Sequence, residues 1–359
     1  MTSFLKTRLL GMALGVGFFS QAFATSELPA DLYVASLEFG EDKGSVSKIS
    51  TDADELAVGK RWGFKEGGLS AMVSCANRLF IINHEGLVSV LNADNTFAKV
   101  AQIQGTARGI CADGSTICVA GYGEGVFKTT SLSVPHSVDL VEFSKDFAGF
   151  STLFKGRMMI ANGTTAQDSS LKEVDIKKGT VVKTRALQDV PTAVQGLGES
   201  LFTALENSVV EEDNGSVVKQ HTVSGKPTAL VSYKNKMLVG ISGQKPQIQA
   251  IEDGEVLPVV DFEGEADKAY TISALRVVGH MLFAAYEADA ADVTIVSVDL
   301  EKKALINKMK VANNPLVFAL ETLVADLGDK KQEDEKKETV PVQKPVSVKK
   351  VDELEKEAL

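Results

Sequence analysis

His84 and Glu85 stand side by side in "NRLFIINHEGLVSVLN", residues 77–92, between two strongly apolar runs. A histidine beside a carboxylate can ligate a metal, act as an acid–base pair, or occupy the tip of a hairpin. Glu124 in "GYGEGVF" and Glu287 in "AAYEADA" sit in comparable settings, so a divalent cation held by carboxylates is one chemistry to weigh. The four histidines, His84, His136, His221 and His280, fall in separate segments with no repeated placement. That pattern argues against a multi-histidine copper site. No CxxCH stretch offers haem attachment. "HEGLV" and "GEGVF" share a Glu-Gly ending, which favours turn geometry over catalysis because glycine supplies positive φ. No catalytic residue, metal site or cofactor is therefore assigned. Enzymatic activity stays open, with a non-enzymatic role the more favoured.

The elements that carry these residues repeat along the chain. "NRLFIINHEG" returns in degraded form as "STICVAGYGEG", "GRMMIANGTT", "ESLFTALENS", "NKMLVGISGQ" and "GHMLFAAYEA", with "ADLYVASLEFG" at the front. Anchoring on Leu32, Leu79, Ile117, Met158, Leu201, Met237 and Met281 gives spacings from about 36 to about 47 residues, the period of propeller blades. Each unit opens on small residues, as in "PTAL" and "ISAL", then runs through the anchor strand, an alternating strand and a fourth strand. Asn214-Gly215 and Asp253-Gly254 precede fourth strands and suit two-residue hairpins. The expected fold class is all-β, a toroid of four-stranded blades with strands a to d from the axis outward. Small residues opening strand a fit the crowding of inner strands around the axis.

Six units look complete, and the first, from Leu32 to about Arg61, lacks strand a. "NPLVF" near the C-terminus matches the openings of strand a, so residues 315–321 are expected to supply it and close seven blades. The same stretch also spells a helix, with Asn314 as cap, Pro315 next, and a leucine stripe before Gly328. Both readings stand at this point.

The b–c hairpins and d–a links of such a ring open on one face. The repeat assigns His84, Glu85, Tyr122, Glu124, Asn162, Asn207, Gln244, Tyr286 and Glu287 to b–c positions, and Trp62, Phe64, Arg108, Lys226 and Tyr270 to d–a links. From these, Trp62, His84, Glu85, Arg108, Tyr122, Glu124, Tyr286 and Glu287 form the candidate binding rim. Mixed aromatic and charged tips of this kind suit contact with a protein or small ligand.

The unit pattern, with "LYVAS" and "ICVAG" as strand b and "PTAL" opening strand a, resembles the bacterial extracytoplasmic seven-bladed β-propellers of the YVTN and WD40-like repeat group. The resemblance spans roughly residues 28–321. It implies the fold and no particular activity, since this architecture hosts binding scaffolds and several enzymes.

The ends suggest a compartment. Lys6, Arg8, the apolar residues 9–19 and the site Ala22-Phe23-Ala24 read as a cleavable signal peptide, residues 1–24, cut between Ala24 and Thr25. The product is expected to be periplasmic or secreted, with no transmembrane span after cleavage. Residues 25–327 are then the propeller, and residues 328–359 a disordered Lys/Glu-rich tail. The formal charge of −10, or about −12 without Lys6 and Arg8, disfavours nucleic acid, which needs clustered cations. Of Cys75, Cys111 and Cys118, the last two flank an expected Asp113-Gly114 turn that would place Cys111 opposite Thr116 and only diagonal to Cys118. That geometry is poor for a disulfide.

The expected function is thus a non-catalytic periplasmic or secreted scaffold that binds a protein partner of the cell envelope through its loop face. The alternatives are a metal-dependent, lactonase-like propeller hydrolase and a redox-partner subunit.

Overall fold

The computed structural model describes residues 30–324 apart from short connections such as 39–43, 84, 124–125, 144–149 and 312–314; over 103–149 it describes the backbone alone. The expected signal segment and tail, His84 and Glu124 lie outside the described residues. Every regular element among the described residues is a strand.

The strands follow the repeat. The first unit supplies β1 (Ala30–Glu38), β2 (Gly44–Ser50) and β3 (Ala57–Phe64). Next come β4 (Leu69–Cys75), β5 (Arg78–Asn83), β6 (Leu87–Leu91) and β7 (Phe97–Gln102). The third unit is β8 (Thr106–Asp113), β9 (Thr116–Gly123), β10 (Val126–Ser133) and β11 (Ser137–Phe143). The fourth is β12 (Phe150–Phe154), β13 (Arg157–Asn162), β14 (Ser170–Asp175) and β15 (Thr180–Ala186). The fifth is β16 (Ala193–Leu197), β17 (Ser200–Ala204), β18 (Ser208–Asp213) and β19 (Ser216–Thr222). Then follow β20 (Lys226–Tyr233), β21 (Lys236–Ser242), β22 (Gln247–Glu252) and β23 (Glu255–Asp261). The last unit is β24 (Tyr270–Val278), β25 (Met281–Ala288), β26 (Asp292–Asp299) and β27 (Ala304–Val311), and β28 (Pro315–Val324) ends the series.

These strands form seven four-stranded antiparallel sheets, six of them largely described down to their side chains. The inner strands meet in the cyclic order β28, β4, β8, β12, β16, β20, β24 and back to β28, so the sheets stand as blades around an axis. The C-terminal stretch is a strand. β28 pairs antiparallel with β1, setting Pro315 opposite Glu38 and Leu320 opposite Val34. A helix there would leave the inner edge of β1 without ladder partners, a costly state for buried backbone.

Anchor strands are buried on both faces because each blade is covered by two neighbours. On β25, Leu282, Ala284 and Tyr286 pack toward the β20–β23 blade, and Phe283 and Ala285 toward the β28–β1–β2–β3 blade. Leu79, Met158 and Met237 are fully buried, each contributing about 1.5–3 kcal/mol. Outer strands are the opposite: in β19 only His221 is buried.

The small residues opening the inner strands have a second role. Register slips leave Ser70, Thr228 and Ser273 in β-bulges of β4, β20 and β24. Thr192 Oγ1 donates to Pro227 O at 2.6 Å and Thr228 Oγ1 to Ile272 O at 2.7 Å, each reaching the next blade's inner strand. Similar ties run along the outside. Lys60 Nζ and Trp62 Nε1 donate to Asn95 O at 3.1 and 2.8 Å, and Lys219 Nζ to Gly254 O at 2.5 Å. The acceptors are c–d turns held at positive φ, Asn95 at 61° and Gly254 at 80°.

The cysteine register differs from the expectation. β8 and β9 pair Asp113 with Thr116, so Cys111 stands directly opposite Cys118. Asp113 is itself a paired strand residue rather than part of the turn, which shifts the register by one step on each side.

Candidate functional site

Among the described residues the b–c connections of the second, fourth, fifth and sixth blades vary in length and in content. In the second blade the turn is held by its own backbone: Gly86, at φ 81°, donates its N–H to Asn83 O at 3.0 Å, and Leu87 N–H donates to Asn83 Oδ1 at 2.7 Å. Glu85 is an exposed tip, its carbonyl accepting from Gln102 Nε2 at 2.7 Å. At Glu85-Gly86 the Glu-Gly ending therefore forms a hydrogen-bonded turn, and its counterpart at Glu124 lies outside the described residues.

In the fourth blade the sequence reading placed Asn162 at a b–c position, but Asn162 ends β13 and is buried. The exposed connection that follows is organised by Asp168, which that reading did not single out. Residues 164–168 are exposed between β13 and β14, and Asp168 gathers them. Its Oδ1 accepts the N–H groups of Thr165 at 2.6 Å and Thr164 at 2.9 Å, and Thr165 Oγ1 at 3.0 Å; its Oδ2 accepts Thr164 Oγ1 at 2.9 Å. These bonds, led by the Thr165 N–H, favour the ionised form and pull the carboxyl down to about 2. The Thr-Thr-x-x-Asp spacing was the available signal. Other b–c tips, Glu206-Asn207 and Gln244-Lys245, are also exposed and polar.

Several rim candidates are elsewhere. Tyr286 is buried at 3% exposure, stacked on Phe262 at 5.2 Å with Tyr270 edge-on at 5.9 Å. The Tyr270 hydroxyl accepts Glu265 N–H at 2.9 Å, so this cluster fastens a d–a link to the core. Tyr270 and Lys226 are the first residues of inner strands rather than link residues. Trp62 and Phe64 also lie within a strand, β3, where Trp62 faces Tyr33 at 6.2 Å and Phe97 at 5.8 Å. Aromatic rings are too costly to leave in water when a neighbouring blade can cover them.

Glu287 lies within β25, opposite Thr271 and Val293, half-buried. Burial raises its carboxyl above the ordinary value, and its Oε2 has no hydrogen-bond partner among the described residues. Arg108 falls in the β8 bulge, between Ala107 and Ile110, and Tyr122 pairs with Thr106 at the same end of that hairpin. Their side chains, like His84 and Glu124, are outside the description. Glu85 and Glu287 belong to different blades, and among the described residues no three His, Cys, Asp or Glu side chains are grouped to hold a metal.

A polar cluster that sequence spacing could not foretell joins three inner strands. Arg276 of β24 donates to Ser74 Oγ of β4 at 2.9 Å and pairs with Glu321 of β28 at 3.1 Å; Ser74 Oγ donates to the same Glu321 oxygen at 2.7 Å. Glu321 is buried, so the charge is compensated where the ring closes.

No protein-family model and no curated protein sequence matches this chain. Solved structures match in fold. The WD40 β-propeller domain of Doa1 is 12% identical at a TM-score of 0.55, over 71% of this chain and 86% of that one. The fold is a β-propeller. Hydrazine synthase of Kuenenia stuttgartiensis is similar over 66% of this chain and 78% of its own, at 18% identity and a TM-score of 0.51. The dihydro-heme d1 dehydrogenase NirN, solved with DHE, gives 11% identity and a TM-score of 0.55 over 80% and 74%. At such identities the likeness concerns the propeller architecture alone. Among the propeller's described residues no helix is long and apolar enough to cross a membrane.

Proposed function

We propose that this chain is a seven-bladed extracytoplasmic propeller, periplasmic or secreted, whose b–c face binds a protein partner of the cell envelope without catalysis. The observation that carries this reading is the contrast between a repeated frame and unlike, exposed, pre-ordered connections, above all the Asp168-centred loop. Loops already held in one conformation lose less entropy on binding. Tips such as Glu85, Asp168 and Gln244 offer polar and charged groups around the face.

The test is capture from an envelope extract by intact protein and by a triple variant, Glu85→Ala, Asp168→Ala and Gln244→Ala. A partner retained by the first and lost by the folded second supports the rim. Equal capture by both, or capture by neither, counts against it. A second reading rests on the unpartnered Glu287 oxygen: a metal-dependent hydrolase. A stoichiometric divalent ion that is lost in Glu287→Gln would favour it, and a visible absorption band would favour a redox-partner subunit. Fractionation of the source cells checks the compartment, where a cytoplasmic, uncleaved chain would refute it.

A further inference from the structure

The backbone brings two chemistry-bearing residues face to face that have no part in the rim, Cys111 and Cys118. β8 and β9 run antiparallel with Cys111 opposite Cys118, two register steps from the pair Asp113 and Thr116. Directly opposed residues of an antiparallel pair have Cα atoms about 4.5–5.5 Å apart. Disulfides span Cα separations of about 4.4–6.8 Å. Opposed residues also occupy the same face of a sheet. Their Cβ atoms, about 4.5–5.5 Å apart in a relaxed pair, must close to roughly 4 Å for the bond. The register slip between Ala107 and Ile110, immediately before Cys111, is a local source of that freedom, because a bulge bends its strand and increases its twist. Cys75 sits in a different blade, on β4 opposite Arg78.

We propose that Cys111 and Cys118 form a reversible cross-strand disulfide, fastening the innermost strand of the β8–β11 blade to its neighbour. One cysteine thiolate attacks a low-molecular-weight or protein disulfide, RSSR, and expels one RS−. The second thiolate then displaces the other RS− from the mixed disulfide. Two protein thiols and RSSR thus become one protein disulfide and two RSH, with two electrons passing to RSSR. A bond that draws a β-pair inward is the strained, readily reduced kind. None of this depends on what the b–c face binds.

The full chain, reduced and freed of reductant, is exposed while folded to oxidised glutathione, quenched in acid, denatured, treated with N-ethylmaleimide and cut with trypsin. Cleavage after Arg108 and Lys128 leaves both cysteines in the peptide 109–128. The expected result is that peptide without maleimide and two hydrogens lighter than its dithiol form, while the peptide 66–78 carries no link to it. Dithiothreitol added without denaturant restores two maleimides. Two maleimides after oxidation, a persistent glutathione adduct at either cysteine, or a link to Cys75 would each overturn the pairing. Reduction achieved only in denaturant would overturn its reversibility. In Cys111→Ser, oxidation leaves Cys118 as maleimide or glutathione adduct.

Discussion

At the scale of single residues, two carboxyls respond to the propeller in opposite directions. Burial holds Glu287 above its ordinary value of 4.5, so the folded state keeps this proton to higher pH than the unfolded chain does. Stability is therefore lost as pH rises from about 4.5 through the raised value. Glu287→Gln should raise Tm at pH 7 and leave it unchanged at pH 4, as read by thermal melts at both pH values. Asp168 has the reverse sign. Its carboxyl is depressed from 3.8 to about 2, so its contribution is complete above 3.8 and is lost as pH falls through about 2. Asp168→Ala should speed hydrogen exchange at the Thr164 and Thr165 amides at pH 7 with little change in Tm, since the loop is exposed. The sequence reading placed Glu287 on the rim and did not single out Asp168. Neither shift was legible in it, because what sets the charge is desolvation in one case and backbone N–H groups in the other.

At the scale of elements, close approach between blades is the sensitive quantity. A Cβ on Gly240 of β21 would lie 2.8 Å from Ile272 Cγ2, a fully buried side chain on the next blade's inner strand. Gly240→Ala should cost about 1–3 kcal/mol, seen as a lower urea midpoint at unchanged slope. Gly63 on the outer strand β3 has nothing within 4 Å of that position, so Gly63→Ala should be neutral or slightly stabilising in the same experiment. The anchor strands were legible as apolar runs, and the hairpins at Asn214-Gly215 and Asp253-Gly254 adopt the positive φ their residues suggested. The rim was less legible. Tyr286 reads as a loop tip by alignment with Tyr122, yet its ring is covered by Phe262 from a link 24 residues earlier in the chain.

At the scale of the whole molecule, the decisive element is the last strand. β28 closes the first blade against β1, and its Glu321 ties Arg276 on one side to Ser74 on the other. Ending the chain at Ala312 removes this strand and exposes the inner edge of β1. That variant should lose cooperative thermal unfolding and bind hydrophobic dye. Ending it at Gly328 should leave Tm as in the full chain. Circular dichroism melts of the two truncations check both outcomes, and a cooperative transition in the shorter one would show that the ring does not need its closure.

The sequence by itself determined the blade: the period, the doubly apolar anchor strands, the small residues opening the inner strands, and the turn residues. These are local properties, because burial of each strand and the φ preference of each turn are written within a few neighbouring residues. Tertiary structure decided what the period leaves free. It made the C-terminal stretch a strand rather than a helix, placed Cys111 opposite Cys118, buried Tyr286 and left the Asp168 loop exposed. The strand at β28 and the burial of Tyr286 depend on which separate segment lies alongside, β1 in one case and the link carrying Phe262 in the other. The cysteine register and the Asp168 loop turn instead on the exact length and bonding of a single connection, which the period does not specify.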